Sequence, residues 1–162
     1  MKKSVSFQKQ RCAPLVLLGT LLGTVTIAYS GPPGYTVGTL ETEYTNSGSV
    51  SAIDTAGNDS LINENIGVYS DHALTGFTNT NTGRIDSRAT VGNALAGFAE
   101  VSDISGLRID GSVNNVLNAG EIRTTASGGD AIGNGSWVYG GEISGAYFAD
   151  DVETFTNSGT IA

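Results

Sequence analysis

A five-residue motif, Asn-x-Gly-x-aliphatic, recurs at nearly even spacing and constrains the fold more than any other feature of this sequence. Successive copies begin 35, 37 and 39 residues apart. Periods of this size are typical of proteins built by stacking similar units, because one such unit buries little apolar surface alone. The four copies are Asn46–Val50, Asn81–Ile85, Asn118–Ile122 and Asn157–Ile161.

A weaker copy of the motif suggests a period half as long. Gly141 and Ile143 frame it, between the last two full copies, and Val68 and Ile104 fall at similar intermediate positions. With these included, aliphatic residues recur roughly every 18 residues along the repeat segment. This spacing predicts about seven rungs of roughly 18 residues each.

The residues around each motif favour β-strand over helix. They form short alternating runs rich in Thr, Val, Ile, Phe and Tyr, as in Phe155-Thr156-Asn157. We expect the Gly to supply a positive φ at a sharp corner, and the Asn to bond its own backbone or stack on the Asn of a nearby rung. The aliphatic residue then points inward and stacks on its counterpart. We therefore predict an all-β fold, a parallel β-helix.

The residues with predicted structural roles form two sets. The turn residues are Asn46, Gly48, Asn81, Gly83, Asn118, Gly120, Gly141, Asn157 and Gly159. The inward-facing anchors are Val50, Ile85, Ile122, Ile143 and Ile161. Stacking of these anchors is expected to form the core, since each rung alone buries almost nothing.

The first thirty residues have the layout of a secretory signal peptide. Four basic residues precede an uncharged apolar run over 13–28, and small residues precede a cleavage point between Ser30 and Gly31. A membrane anchor is the alternative, but the apolar run is shorter than a usual span. The predicted organisation is a signal peptide over 1–30, an extended leader over 31–40 and a repeat segment over 41–162.

Without the signal peptide, the chain is acidic and contains neither Lys nor Cys. Four Arg and sixteen carboxylates remain, which gives a formal net charge of 4 − 16 = −12. Because it has no basic stripe, we expect no binding to nucleic acid. Because it has no Cys, we expect no disulfide, and any metal would need oxygen ligands. We predict no metal site and no cofactor.

With these Asn-Ser/Thr/Ala-Gly-x-Ile/Val units in an exported, acidic, Cys-free chain, the sequence resembles the passenger region of bacterial autotransporters, the type V secreted surface proteins. The resemblance covers residues 41–162. It implies a right-handed parallel β-helix of the pectin lyase-like class, and a non-enzymatic role in surface display, adhesion or cell–cell interaction. The implied partner is a host or neighbouring-cell surface protein or glycan.

The resemblance also implies a cellular location. Such a chain is exported through the inner membrane to the surface of a Gram-negative bacterium or beyond it, with the help of an outer-membrane translocator barrel. That barrel is absent from this chain, so we expect the repeat segment to be incomplete at its C-terminus and the product to be periplasmic if no translocator is attached.

The alternative function is a carbohydrate-active enzyme, a polysaccharide lyase or hydrolase, on the same scaffold. It would need carboxylates or Arg converging on one face across successive rungs. The densest acidic group is Asp150, Asp151 and Glu153, but adjacent strand residues point to opposite faces. We therefore predict no catalytic residue, and expect a solvated acidic bulge there.

Three further features have a simpler interpretation. His72 is the only histidine, beside Asp71, and no nucleophile can be assigned to it, so we expect a surface loop. Ser127–Gly135 resembles one copy of a calcium-binding nonapeptide, but a single copy cannot supply ligands from successive turns. An aromatic patch at Trp137, Tyr139 and residues 147–148 is expected to pack in the core or to contact a partner.

Overall fold

A computed structural model of the chain consists of β-strands and the turns between them. It describes the backbone of residues 27–30 and 33–162 and the side chains of 33–162. Most of the predicted signal peptide, and Gly31 at its cleavage point, lie outside these residues. The described part contains no helix, and so none long and apolar enough to cross a membrane.

The strands lie in chain order with short connections. They are β1 Ile27–Ser30, β2 Tyr35–Thr36, β3 Glu43–Asn46, β4 Ser49–Ala56, β5 Ser60–Ser70, β6 Leu74–Asn79, β7 Arg84–Val91, β8 Phe98–Val101, β9 Ile104–Ile109, β10 Val113–Asn118, β11 Glu121–Ser127, β12 Trp137–Gly140, β13 Ile143–Phe148, β14 Val152–Asn157 and β15 Thr160–Ile161.

These strands form three parallel sheets. In the first sheet, β8 and β9 pair along one edge of the long strand β5, β12 and β13 follow them, and β1 and β2 also pair with β5. The second sheet has the order β14-β10-β6-β3, and the third has the order β15-β11-β7-β4. Within the described residues the chain visits the three sheets in turn four times. We call these passages unit 1 (β1–β4), unit 2 (β5–β7), unit 3 (β8–β11) and unit 4 (β12–β15).

The register of the strands shows that the predicted rung of roughly 18 residues is wrong. Asn79 in β6 pairs with Asn46, 33 residues earlier, and with Asn118, 39 residues later. Each unit contributes to three sheets, so the chain returns to a given sheet only after it has passed through the other two. The described residues therefore form four units, where the half-period predicted seven.

Four asparagines, three of them buried, form a line of side-chain hydrogen bonds through the second sheet. The Nδ2 atoms of Asn46, Asn79 and Asn118 each donate to the Oδ1 atom of the Asn in the next unit at 2.8 Å, and the line ends at Asn157. Each of these Nδ2 atoms also reaches a backbone carbonyl of the third sheet at 3.2–3.3 Å. The Oδ1 atoms of Asn46 and Asn157 accept from the backbone NH two residues later. We call this line the Asn ladder.

Asn81, predicted as the second turn Asn, is not part of the Asn ladder. It is exposed in the corner between β6 and β7, and the buried Asn79 takes its place. This corner is two residues longer than its counterparts, and the NH of Gly83 closes it by donating to the carbonyl of Thr80 at 2.9 Å. Asn79 is the residue that pairs with β3 and β10, whereas the sequence motif pointed to Asn81, two residues later.

At three of the four motif corners there is no room for any side chain larger than that of glycine. Gly48, Gly83, Gly120 and Gly159 do not have the positive φ that we predicted, since Gly135 is the one Gly with positive φ among the described residues. A Cβ on any of the last three would instead collide with oxygen atoms of the neighbouring unit, whereas Gly48 has open space. Gly141 lies at a different corner, where a Cβ would collide with Ser102.

The apolar core forms two clusters between the sheets. The larger contains Val37, Val68, Leu74, Phe77, Ile85, Leu107, Ile109, Val113, Val116 and Ile122. The smaller and Ala-rich cluster contains Ala56, Ile62, Ala89, Val91, Ala94, Ala99, Val101 and Ile104. Val37 and β2 both lie within the predicted leader, so the packed part of the chain begins before residue 41.

Anchor residues of the third sheet stack in one column. Val50, Ile85, Ile122 and Ile161 are successive partners in β4, β7, β11 and β15. The middle two are fully buried and the outer two are partly buried. Ile143, predicted as a further anchor, is 47% exposed and pairs with Ile104 in the first sheet, so that prediction is wrong.

A column of glycines in the first sheet faces this anchor column. A Cβ on Gly67 would collide with Cγ2 of Ile85, and a Cβ on Gly106 with Cγ2 of Ile122. Gly145 faces Ile161 in the same way. The branched anchors therefore fill the space that side chains at these glycines would need, and the two sheets pack closely.

Candidate functional site

Acidic side chains recur along one edge of the exposed face of the first sheet. Glu64, Asp103 and Glu142 are spaced 39 residues apart (103 − 64 and 142 − 103), and each directly precedes a residue of one paired column. Asp103 lies between β8 and β9 with φ 54°, a left-handed conformation that Asp tolerates better than most residues. The stacking thus brings together carboxylates that are far apart in sequence.

An aromatic and cationic column lies beside these acids. Arg108 pairs with Tyr69 on one side and Tyr147 on the other, and its Cζ atom lies 6.0 Å and 5.4 Å from the two ring centroids. Its Nε donates to Asp110 at 2.8 Å, and its Nη1 donates to Glu64 at 3.2 Å. The hydrogen bond to Asp110 raises the pKa of Arg108 above its ordinary value, so the guanidinium stays charged.

Tyr69 is held in the same network. Its hydroxyl donates to Oδ2 of Asp110 at 3.0 Å. Burial first, and then this hydrogen bond, raise the pKa of Tyr69 above its ordinary value. Asp110 therefore orients both the Tyr69 ring and the guanidinium of Arg108.

A cavity of about 210 Å³ opens between the acidic and aromatic columns. Asp103, Ser105, Arg108, Glu142 and Tyr147 line it. Ser105 is only 6% exposed, and its hydroxyl forms no hydrogen bond within the described part of the chain. Asp103 and Glu142 form no ion pair with any described residue. We call this the sheet-one cavity.

Exposed aromatic side chains lie on the same sheet, on the strands that precede the cavity. Trp137 and Tyr139 in β12 are 71% and 59% exposed, and Trp137 pairs with the partly exposed Phe98 in β8. We call these three residues the aromatic patch. Of the residues predicted to join them, Tyr147 lines the sheet-one cavity, and Phe148 packs against the core and contacts Phe155 edge to face at 5.9 Å.

The corner before the aromatic patch is fixed by a carboxylate. Asp59, with φ 51°, accepts hydrogen bonds at Oδ1 from three consecutive backbone NH groups, those of Leu95, Ala96 and Gly97, at 2.7–3.1 Å. Three convergent NH donors form a concave anion site, which this carboxylate fills. The segment leading into β8 is therefore held by the preceding unit.

A second repeated motif supports the same corner and was missed in the sequence. Asn58 accepts at Oδ1 from the NH of Asn93, and Asn93 accepts from the NH of Asp130, both at 2.8 Å. Each of the three residues follows a Gly, at spacings of 35 and 37 residues. A search for Gly-Asn and Gly-Asp pairs at the main period would have found them. Ser127–Gly135, which resembles a calcium loop, forms the last of these corners.

His72 does not have the geometry of a catalytic base. Its Nδ1 lies 3.0 Å from Asp71 Oδ1, and its Nε2 lies 3.0 Å from the backbone carbonyl of Glu41. Both ring nitrogens thus face acceptors, and the hydroxyl of Ser70 lies 3.4 Å from Nδ1. The hydrogen bond to Asp71 and then that to Glu41 raise the pKa of His72. The ring ties the segment before β3 to the corner after β5.

The acidic group Asp150, Asp151 and Glu153 is exposed at the corner leading into β14 and in that strand, on a different sheet from the sheet-one cavity. Within the described residues, no three His, Cys, Asp or Glu side chains form a group that could hold a metal ion. The candidate site is therefore built from residues that the sequence interpretation did not single out, apart from the aromatic side chains.

The third sheet carries the remaining arginines. Arg88 pairs with Asp86 at 2.6 Å, and Glu121 pairs with Arg123 at 2.7 Å and with Arg84 at 3.7 Å. Each of these arginines thus has a carboxylate partner on that sheet, with Glu121 shared by two of them. The uncompensated carboxylates of the sheet-one cavity therefore lie on a different face from this cluster of arginines.

In comparisons with protein-family models, with curated proteins and with solved structures, nothing matches this chain.

Proposed function

We propose that the chain is a non-enzymatic, exported segment of the autotransporter passenger type, which contacts partners on other cells through its first sheet. The support is the pairing of equivalent residues in successive units, which repeats the same side chains along a face. Such a face offers a long, stiff contact surface in which each unit depends on its neighbours.

The finer architecture that goes with this function is a right-handed parallel β-helix of four turns. The order in which the chain visits the three sheets supports the helix, as do the Asn ladder and the anchor column, which run through successive units, while the right-handed sense is taken from the autotransporter resemblance. Each unit is then one turn, and the three sheets are the faces of the rod.

One observation carries the assignment of the contact surface. Trp137 and Tyr139 are large, exposed aromatic side chains that no described residue covers, on the same sheet as the cavity. Exposed aromatic residues are common at recognition surfaces, because they offer large rigid area and a polar tip. The aromatic patch and the sheet-one cavity together form the proposed contact surface.

Binding of the labelled full chain to bacterial and epithelial cells, measured by flow cytometry, tests this function. We expect saturable binding that is strongly reduced in Trp137→Ser/Tyr139→Ser. The control is Ile53→Ser, which removes a 70% exposed apolar side chain from the third sheet. Equal binding by the wild type and the double variant would contradict the assigned surface.

Export is proposed on the signal-like segment. N-terminal sequencing of the periplasmic or secreted product is expected to begin at Gly31. Removal of residues 1–30 would also take away β1, which pairs with Ser60–Glu64, and so would free that part of the edge of β5. A product that keeps Met1 and stays in the cytoplasm would contradict export.

The second candidate function is a polysaccharide hydrolase or lyase. One observation favours it: Asp103 and Glu142, from successive units, line the same cavity as Arg108. Two carboxylates that flank a glycosidic bond can act as acid and as base or nucleophile. Release of reducing ends from a panel of acidic and neutral polysaccharides by the wild type, abolished in Asp103→Asn and in Glu142→Gln, would favour the enzyme over the display module.

A further inference from the structure

We propose that the sheet-one cavity and the aromatic patch bind a linear oligosaccharide that carries free amino groups, so that the contact surface recognises a hexosamine polymer. This inference rests on the proposed contact function and names the chemistry of its ligand. Four observations carry it: the charge of the cavity, the saturation of Arg108, the unpartnered Ser105 and the aromatic residues alongside.

The charge of the cavity calls for a cationic ligand. Asp103 and Glu142 line it and form no ion pair within the described residues. Arg108 does not neutralise them, because its Nε binds Asp110 at 2.8 Å and its Nη1 binds Glu64 at 3.2 Å. No Lys occurs between residues 31 and 162. An ammonium group would supply the missing positive charge.

The floor of the cavity calls for a hydroxyl-bearing ligand as well. Ser105 is more than nine-tenths buried, lines the cavity, and has no hydrogen-bond partner among the described residues. Its hydroxyl can both donate and accept, and because it lines the cavity a ligand there can supply the partner. The alkyl chain of a lysine offers nothing to this hydroxyl, whereas the hydroxyl groups next to the amine of an amino sugar do.

The aromatic residues call for a ligand longer than one sugar. Trp137, Tyr139 and Tyr147 lie along unit 4 on the same sheet as Glu142. At about 3.3 Å per fully extended residue, residues 137–147 span at most roughly 30 Å, since a corner at 141–142 separates β12 from β13. Sugar rings can stack on the exposed faces of Trp137 and Tyr139 while an amine reaches the carboxylates beside Tyr147. A linear chain of several hexosamine units therefore fits the surface better than a compact cation.

Isothermal titration calorimetry on the full chain tests the ligand class. The probes are a glucosamine hexamer, its fully N-acetylated counterpart and a tetralysine peptide, at mildly acidic pH, where amines are protonated and carboxylates remain ionised. We expect the glucosamine hexamer to bind, and the other two to bind at least roughly tenfold more weakly, since each lacks either the charge or the hydroxyl groups.

Variants locate the site. Asp103→Asn/Glu142→Gln is expected to weaken hexamer binding by roughly tenfold. Ser105→Ala is expected to weaken it severalfold with an unchanged circular dichroism spectrum. The matched control, Asp150→Asn/Asp151→Asn, removes the same charge from an exposed corner and is expected to leave binding within about twofold, because rim charges elsewhere act weakly.

Several results would overturn this inference. They are no measurable binding of the glucosamine hexamer, equal binding of the N-acetylated hexamer, equally tight binding of tetralysine, and an equal loss in the control variant. Equal binding of tetralysine would make the partner a basic peptide. If the hexamer fails while the cells still bind through Trp137 and Tyr139, the ligand class is wrong and the contact function stands.

Discussion

At the scale of single residues, the buried amides of the Asn ladder decide how the units are aligned. Asn79 and Asn118 are fully buried, and each satisfies its amide with the Asn of both neighbouring units. An unpaired buried polar group costs about 1–3 kcal/mol. A shift of register by one residue would leave several such groups unpaired, so the Asn ladder favours one alignment.

Replacing one rung of the Asn ladder is expected to be costly. Asn118→Ala removes the donor to Asn157 and Thr160, and it leaves the Nδ2 atom of Asn79 with only the longer hydrogen bond to the carbonyl of Glu121. We expect a loss of about 2–4 kcal/mol in the free energy of unfolding, measured by urea denaturation. The control Asn81→Ala is expected to change it by less than about 0.5 kcal/mol. A larger effect at Asn81 than at Asn118 would refute the observed register.

The glycine column gives a second residue-scale prediction. Gly106→Ala places a Cβ against Cγ2 of Ile122 and within 2.7 Å of the backbone oxygen of Gly145. Overpacking of this kind costs about 1–3 kcal/mol, which a thermal or urea melt will report. Gly48→Ala is the matched control, because no atom lies within 4 Å of its Cβ position. Equal stability of the two variants would show that the first and third sheets pack less closely than described.

These residues also show how far sequence could reach. The motif identified Asn46, Asn118 and Asn157, because each lies two residues before a corner Gly. It selected Asn81 instead of Asn79, because the corner after β6 contains two extra residues. Asn81 therefore lies two residues before Gly83, as the motif requires, whereas Asn79 is the residue that pairs with β3 and β10. The role of the corner glycines was misassigned as well, since close contact between units cannot be read from one chain's local pattern.

At the scale of elements, His72 adds a side-chain link between two segments that lie between paired strands. Its ring contacts Asp71 in its own corner and the carbonyl of Glu41 before β3. Protonation lets both ring nitrogens donate to these acceptors, which is why the pKa of His72 is raised. Because the folded state binds this proton more tightly than the unfolded state, the stabilisation is complete below the unfolded pKa and is lost as pH rises through the folded pKa.

We therefore predict that stability falls as pH rises from below about 6.5, the ordinary pKa of His, through the raised pKa of His72. Urea unfolding at closely spaced pH values will measure it. His72 is the only histidine, so His72→Gln is expected to remove this part of the pH dependence and to leave the rest unchanged. The same slope in the variant would assign the effect to other groups.

Strand type and parallel stacking could be predicted from the sequence, but the number of strands per unit could not. The Asn-x-Gly motif marks one corner of each unit, and the other corners carry less regular residues, such as Asn58, Asn93 and Asp130. Ile143, which lies between two copies of the motif, was therefore interpreted as the anchor of an additional rung, although it belongs to the first sheet and the other anchors belong to the third. The sheet-one cavity was missed for the same reason, since Glu64, Asp103 and Glu142 converge only at the full 39-residue spacing.

At the scale of the whole molecule, charge is divided between faces. Three of the four arginines of residues 31–162 lie on the third sheet in local ion pairs, and Arg108 on the first sheet is held by Glu64 and Asp110. The net charge of −12 is thus left uncompensated at places such as the sheet-one cavity. A surface of this sign attracts cationic partners and repels anionic ones, more strongly at low ionic strength.

The central claim is that four units, each contributing strands to all three sheets, stack in register, and one distance tests it most directly. Ser49 and Thr160 are exposed and occupy the same column of the third sheet, three units apart. Spin labels at Ser49→Cys and Thr160→Cys, in a Cys12→Ser background, allow dipolar electron paramagnetic resonance. Three steps of about 4.8 Å predict a backbone separation of about 14 Å. Rungs of roughly 18 residues would place the same sites six steps apart, at about 29 Å, and that result would contradict the claim.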